Sequence, residues 1–353
     1  MNVLGVLILI LLLVAAAGAY VLLTPFGPST ETFVDIPSGT GVRGIAGSLE
    51  RAGVVRSRYA FEAWHTYQHG TLKAGEYRFD HPATVREIYD RMARGDVYTI
   101  SVTVPEGYNL FDIATAVQHA GLGTADAFLA AARTNTALIS DLSPDARSLE
   151  GYLFPETYKF SRHATPEQMQ AAMVKRFRRE ATSLGLTTDV ARTVTMASLV
   201  EKEVRVDTER PLVAGVFVNR LAKGMPLATD PTVIYAALLD NRWRGTIYRS
   251  DLDYDSPYNT YRHSGLPPGP IASPGVAALK AAMHPAETDY LYFVADASGH
   301  SVFSADLKEH AEQVQAYRRA SGEAPAASAP SMQESRSPKH AVPGTASGRK
   351  RQK

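Results

Sequence analysis

Residues 188–204 read TDVARTVTMASLVEKEV, and this stretch decides how the larger part of the chain folds. Small and apolar residues recur in it at helical spacing, so the sequence predicts one helix over the whole stretch. Val190, Val194 and Ala197 fall on one stripe of that helix, and Glu201 continues the stripe. Because such a stripe faces the core, we expect the side chain of Glu201 to be buried.

A glutamate held among apolar neighbours has a particular chemistry. Burial penalises the charged form, so we expect Glu201 to stay protonated near neutral pH and to donate a proton to a leaving oxygen. Glu203 lies on the other side of the helix and is the second candidate for this acid. The alternative is an ordinary helix end, at which Glu201 bends out to water and has no catalytic role.

The loops after this helix are rich in polar and aromatic side chains. Tyrosine rings and amide groups suit sugars, which offer apolar faces and hydroxyl edges. The motifs ATDPTVIYA (228–236) and YNTY (258–261) therefore predict substrate contacts by Thr229, Asp230, Tyr258, Asn259 and Tyr261. Asp230 is equally well explained as a helix cap, and turn chemistry alone accounts for the prolines and glycines nearby.

Glu156 is a further candidate because it is an acid within an aromatic motif, FPETY, at residues 154–158. We expect this segment to be a loop or a short strand, since a proline interrupts it. The sequence leaves two roles open for Glu156: a second acid near the site, or a structural residue of the loop.

Composition excludes several classes of protein. The 353 residues carry 37 basic and 36 acidic side chains, a net charge of +1 that gives no field for nucleic acid. The chain has no cysteine, so disulfides, thiolate metal sites and cysteine nucleophiles are excluded. The ten histidines are scattered without metal-ligand spacing, and we expect neither a metal nor another cofactor.

The N-terminal segment predicts a membrane span. Residues 3–23 form an uncharged run of 21 residues, which as a helix reaches about 30 Å, the thickness of the hydrocarbon layer. We expect an uncleaved single-pass anchor with residues 1–2 in the cytosol and residues 24–30 as a linker. The alternative is a signal peptide cleaved after the small residues Ala17-Gly18-Ala19.

A short β-α unit occurs twice, 68 residues apart, with VDIPSG at 34–39 and VTVPEG at 102–107. Each copy combines an alternating strand, a turn with proline and glycine, and an amphipathic helix. Elsewhere helices and strands mix without regular alternation, and a hairpin is expected near residues 290–303, so the fold class is α+β. Residues 321–353, rich in Ala, Ser, Pro and Gly, predict a disordered tail with a basic end.

Seven motifs in one order resemble the endolytic murein transglycosylase family, also called YceG-like. They are EGYLFPETY, ASLVEKE, GVFVNRL, ATDPTVIYA, YNTY, GLPPGPIASPG and HPAETDYLYFVAD, and the resemblance covers about residues 34–318. It implies a small LysM-like peptidoglycan-binding α/β module at 31–98 and a mixed α+β catalytic domain at 99–320. It also implies that Glu201, the first acid of its motif, is the catalytic residue.

The resemblance further implies a function. It is the cleavage of nascent bacterial peptidoglycan strands between N-acetylmuramic acid and N-acetylglucosamine, which leaves a 1,6-anhydro end and terminates glycan elongation. The protein would lie in the inner (plasma) membrane with most of its chain outside, and peptidoglycan synthases are candidate partners. Two alternatives remain: a muramidase that uses water, with Asp230, Glu203 or Glu156 as its base, and a wall-binding scaffold without activity.

Overall fold

A computed structural model of the chain describes residues 3–204, 206–296 and 299–321. The predicted cytosolic end at 1–2 and nearly all of the predicted tail therefore lie outside the described residues. The helices are α1 Val3–Leu23, α2 Val42–Arg51, α3 Arg58–Gln68, α4 Val85–Arg94, α5 Leu110–His119, α6 Ala125–Thr134, α7 Pro166–Leu184, α8 Val190–Glu203, α9 Arg210–Ala222, α10 Asp230–Leu239, α11 Arg249–Leu252, α12 Val276–Met283 and α13 Leu307–Ser321. The strands are β1 Thr32–Ile36, β2 Gly75–Phe79, β3 Ile100–Val104, β4 Glu156–Phe160, β5 Tyr292–Ala295 and β6 Ser301–Ser304.

In the described part of the chain the strands form three two-stranded sheets, which pair β1 with β2, β3 with β4 and β5 with β6. Helices outnumber strands and the two kinds of element are mixed, which confirms the predicted α+β class.

The chain divides into two compact units that interleave along the sequence. The first unit runs to Thr103 and also takes Val117–Gly123 and Thr157–Thr165; the second unit takes Val104–Ala116, Thr124–Glu156 and the chain from Pro166 onward. The predicted boundary after residue 98 lies close to the first of these breaks. The sequence did not indicate that two later segments belong to the first unit.

The first unit packs three helices on a small antiparallel sheet. Strand β1 pairs with β2 in a register that sets Val34 opposite Tyr77, and both side chains are buried with those of α2, α3 and α4. A capping box begins α4, since Thr84 accepts from the Glu87 amide and Glu87 accepts from the Thr84 amide. The LysM-like character of this unit stays a prediction.

Helix α1 belongs to the first unit and has the length and composition of a membrane span. It covers Val3–Leu23 with a mean hydropathy of 3.0, and no part of this stretch is buried inside the protein. The predicted N-terminal apolar helix is therefore confirmed with the predicted bounds.

The second unit is built around α8. This helix packs against α12, α9 and α10, and every residue from Val194 to Val200 is buried. Leu199 and Val200 join a core with Phe217 from α9 and Phe293 from β5. The expectation of a single buried stripe is thus too narrow, because neighbours cover α8 on all sides from Val194 to Val200.

Candidate active site

Glu201 occupies the last turn of α8, and its side chain is only 6% exposed. Its Oε2 atom accepts a hydrogen bond of 3.0 Å from the backbone N–H of Gly275. The same oxygen lies 2.7 Å from Nη1 of Arg210, the first residue of α9. Glu201 is buried as the sequence predicted, but the groups in contact with its carboxylate are a guanidinium and a backbone N–H rather than apolar side chains.

This environment differs from the apolar one expected for Glu201. A guanidinium and an N–H donor on one carboxylate oxygen both stabilise the anion. The helical pattern of residues 188–204 shows only which way the side chain points, so it could not reveal a cation contributed by the next helix. Arg210 is itself buried and also pairs with Asp207 at 3.0 Å, which gives its charge two acidic neighbours.

The loop of the GLPPGPIASPG motif is bonded to the end of α8. The Ile271 N–H donates to Oγ of Ser198 at 3.1 Å, and four residues later the Gly275 N–H reaches Glu201. Gly275 is also the N-cap of α12, so Glu201 accepts a bond at a helix N-terminus, where negative charge is favoured. The loop and the glutamate therefore fix each other.

The turn of the second β-α repeat also packs beside Glu201 and the GLPPGPIASPG loop. The Gly107 N–H donates to the carbonyl of Ser273 at 2.9 Å, and Nζ of Lys202 donates to the carbonyl of Gly107 at 3.1 Å. A Cβ atom placed on Gly107 would stand 3.7 Å from Cγ of Glu201. Gly107 has φ +76, a value that favours glycine. The repeat was recognised in the sequence, but its role beside Glu201 was not.

Glu106, from the same turn, is a second acid beside Glu201. The residue is exposed, and its carboxyl group occupies the space that a Cβ on Gly275 would fill. Partial burial raises the pKa of Glu106, and so does the negative charge of Glu201 and, less strongly, that of Asp207; Arg210 lowers it. Sequence reasoning missed this residue, although the Pro-Glu-Gly turn was visible as part of the repeat.

Glu203 lies in a separate buried cluster. It is 7% exposed, and its pKa is raised to about 8 by burial and then by the negative charge of Asp230, against smaller lowering effects of Thr229 and Arg220. The sequence placed Glu203 on the other side of the helix from Glu201 and named it the second candidate for the acid. The structure buries Glu203 beside Asp230, the first residue of α10, and beside Thr229, which precedes α10.

Three of the predicted substrate-binding residues belong to this second cluster. The Tyr261 hydroxyl donates to Oδ1 of Asp230 at 2.7 Å, and burial raises the pKa of both groups. Thr229 is buried, and its N–H donates to Oγ1 of Thr260 at 3.0 Å. These contacts gather Thr229, Asp230 and Tyr261 around Glu203 rather than around Glu201.

Asn259 holds its own loop together. It is 1% exposed, and its amide donates to the carbonyls of Leu252 at 2.9 Å and Tyr254 at 2.8 Å. Its Oδ1 accepts from the N–H of Tyr261 at 3.0 Å. The expected sugar contact of Asn259 is not supported, because the side chain is enclosed and bonded within the loop.

Tyr258 packs in a third polar cluster. Its ring lies 5.0 Å from that of Tyr235, and burial, followed by the negative charge of Glu150, raises its pKa to about 12. Glu150 is buried, accepts from the N–H of Leu110 at 2.9 Å, and has its pKa raised to about 7, chiefly by burial. Glu150 is the first residue of the EGYLFPETY motif, but the sequence indicated no role for it.

Glu156 lies at the start of β4 and has a structural contact. Its Oε2 lies 2.7 Å from Nε of Arg176 on α7, and Arg176 also pairs with Glu180 at 2.7 Å. In the part of the chain that the structure describes, its ion pair is thus with α7 and not with the residues around Glu201. Of its two expected roles, this contact favours the structural one.

Residues 3–204, 206–296 and 299–321 contain no group of three or more His, Asp or Glu placed to hold a metal ion. The groups that the structure places around Glu201 are the guanidinium of Arg210, the carboxyl group of Glu106 and the backbone N–H of Gly275.

Comparisons with known proteins agree on one family. A model of the YceG-like family matches residues 34–316. A Bacillus subtilis protein named endolytic murein transglycosylase is 36% identical over 322 residues, which cover 84% of this chain and 88% of that protein. A Streptococcus pneumoniae protein of the same name is 34% identical over 324 residues, which cover 81% of this chain but only 58% of that protein.

The comparison with solved structures agrees as well. A crystal structure of a YceG-like protein from Listeria monocytogenes is similar with a TM-score of 0.53 and 34% identity, and the match covers 81% of this chain and 99% of that one.

The fold and the site define a class of α+β proteins in which a buried glutamate ends a central helix and is bracketed by two glycine-containing loops. Within that class, the chain belongs to the YceG-like family. The resemblance read from the seven motifs is thereby confirmed, and the names of the curated relatives agree with the predicted enzyme class.

Proposed function

We propose that this protein is a membrane-anchored endolytic transglycosylase of peptidoglycan. It cleaves the bond between N-acetylmuramic acid and N-acetylglucosamine within nascent strands, forms a 1,6-anhydro end and so terminates glycan elongation. The observation that carries the proposal is the position of Glu201, held by Arg210 and by Gly275 where the ASLVEKE and GLPPGPIASPG motifs meet. The names of the relatives support the substrate class.

The chemistry of such a cleavage needs no external nucleophile. A carboxyl group gives a proton to the glycosidic oxygen, and a carboxylate then takes the proton of the muramoyl C6 hydroxyl as that oxygen attacks C1. The nucleophile belongs to the substrate and is present at high effective concentration. We assign this carboxyl chemistry to Glu201, which Gly275 and Arg210 hold in the site.

The rest of the chain supports a location at the membrane. Helix α1 is long and apolar enough to anchor the protein in the inner membrane, with the two units outside. The compact β1-α2-α3-β2 arrangement of the first unit supports its assignment as the LysM-like module that binds glycan. Peptidoglycan synthases are the proposed partners, since they make the strands that are cut.

The ends of the released glycan test the reaction type. The full-length chain in detergent is incubated with purified peptidoglycan strands, and the products are analysed by mass spectrometry. We expect fragments that end in 1,6-anhydro-N-acetylmuramic acid. Fragments with reducing ends, heavier by one water, would instead identify a water-using muramidase, and intact strands that remain bound would identify a scaffold.

A further inference from the structure

The carboxyl groups of Glu106 and Glu201 meet at one residue, Gly275. Glu201 accepts the N–H of Gly275 at 3.0 Å, while the carboxyl group of Glu106 rests against the same glycine, in the space that any Cβ would fill. Gly275 is not at positive φ, so its backbone conformation does not require glycine. The carboxyl group of Glu106, the far end of its side chain, takes the space of the missing Cβ, so a Cβ at residue 275 would displace that carboxyl group.

The backbone turn that carries Glu106 is fixed by the protein. Its turn is bonded on both sides of Gly107: the Gly107 N–H donates to the carbonyl of Ser273 at 2.9 Å, and Nζ of Lys202 donates to the carbonyl of Gly107 at 3.1 Å. Lys202 directly follows Glu201, so the backbone that carries Glu106 is anchored to the helix that carries Glu201.

The two carboxyl groups have different surroundings. Glu201 is 6% exposed and its Oε2 faces both Arg210 and an N–H donor, an arrangement that suits a carboxylate. Glu106 is exposed, so a glycan can reach it, and its pKa is raised by partial burial and by the negative charge of Glu201. Of two neighbouring carboxyl groups, the one with the weaker stabilisation of its anion holds the proton.

We propose that Glu106 is a second catalytic carboxyl group, and that it donates the proton to the glycosidic oxygen while Glu201 acts as the carboxylate. This inference rests on the proposed function and refines it, since the first proton then starts on Glu106. In a reaction with one acting carboxyl group, Glu201 would have to begin protonated beside the charge of Arg210.

The proton balance closes within the site. The C1–O4 bond breaks with its electron pair on O4, which takes the proton of Glu106. The C6 oxygen forms the bond to C1, and its proton passes to Glu201. Transfer of that proton from Glu201 to Glu106 restores the starting state, so the cycle consumes neither water nor an outside acid.

A substrate with an acidic leaving group separates the two roles. In a glycan oligomer that ends in an aryl glycoside of N-acetylmuramic acid, the phenolate leaves without being protonated. For Glu106→Gln in the full-length chain, we expect cleavage of natural glycan to fall by about 100-fold or more, as for loss of a general acid. Release of the phenolate is expected to stay within about tenfold of wild type, whereas Glu201→Gln loses both reactions.

Two more variants address the geometry. Gly275→Ala puts a methyl group in the place of the Glu106 carboxyl group without removing any acid, and it is expected to reproduce the loss on natural glycan. Glu106→Asp keeps an acid on a shorter side chain and is expected to recover part of the lost rate. Glu309→Gln, an exposed change on α13, is the matched control and is expected to leave both reactions unchanged.

The outcomes distinguish this inference from the proposed function. Wild-type cleavage of natural glycan by Glu106→Gln, or equal losses on the two substrates, would overturn the role of Glu106. The proposed function would still stand, provided that wild type forms anhydro ends and Glu201→Gln does not. If wild type yields no anhydro ends, the proposed function itself fails.

Discussion

At the scale of single residues, the account depends on a buried pair of opposite charges, Glu201 and Arg210, 2.7 Å apart. The sequence predicted the direction of Glu201 because helical periodicity fixes which residues share a face. It could not predict Arg210 as the partner, because Arg210 reaches Glu201 only after the chain has turned from α8 into α9. The same limitation applies to Glu106, which is 95 residues before Glu201 in the chain.

The pair predicts a strong effect of removing the cation. Arg210→Met leaves the carboxylate of Glu201 buried without its partner, and the expected loss is about 3–5 kcal/mol in the free energy of unfolding. Urea unfolding of the full-length chain in detergent measures this loss. The double variant Glu201→Gln/Arg210→Met serves as the control and is expected to lose less than the sum of the single changes. Additive losses would contradict a direct interaction between the two side chains.

At the scale of elements, the site is made by a loop held against a helix. Residues 265–275 are joined to α8 at Ser198 and at Glu201. The sequence predicted α8 and the loop correctly as separate elements, since proline and glycine mark the loop and apolar spacing marks the helix. It did not identify α12, whose eight residues are too few for a clear periodic pattern.

Ser198 tests how the loop is held. Its hydroxyl is fully buried, accepts from Ile271 at 3.1 Å and donates to the carbonyl of Thr195 at 2.7 Å. Ser198→Ala leaves the Ile271 N–H buried without a partner, so we expect a loss of about 1–3 kcal/mol in unfolding free energy and slower glycan cleavage. Ser183→Ala, exposed on α7, is the control and should change stability by less than about 0.5 kcal/mol. Equal stability of the two variants would contradict the role of Ser198.

At the scale of the whole molecule, the sequence predicted the apolar helix α1 but not how the chain is divided between the two units. The bounds of α1 agree with the prediction because an uncharged run of 21 residues has few competing interpretations. The interleaving of the two units was not predicted, because the segments Val117–Gly123 and Thr157–Thr165 join the first unit through contacts distant in sequence. The β-α repeat was found, but it gave no sign that its second copy is divided between the two units.

Buried acids predict how stability changes with pH. Burial raises the pKa of Glu203 to about 8 from an ordinary value of 4.5, so between these values the folded protein holds a proton that the unfolded chain has lost. The stability contributed by this group is present below pH 4.5 and is lost as pH rises toward about 8. Glu203→Gln should therefore become more stable relative to wild type from pH 5 to about pH 8, as measured by urea unfolding. A difference that is constant with pH would contradict the buried, protonated state of Glu203.

Helix α1 predicts membrane association. The full-length chain is expected to sediment with membranes and to remain there in alkaline carbonate, while a variant without residues 3–23 is expected to be released. The mass of the protein recovered from membranes should include α1. A recovered protein that begins after Ala19 would instead identify the segment as a cleaved signal peptide.

The central claim is that the carboxyl group of Glu201 carries out glycan cleavage. Its most direct test compares wild type, Glu201→Gln and the control Glu309→Gln for the rate at which peptidoglycan strands are shortened, with glycan binding and thermal unfolding measured on the same samples. The account predicts that Glu201→Gln loses cleavage by at least about 100-fold, while it stays folded and still binds glycan. Cleavage by Glu201→Gln at the rate of the control would contradict the account.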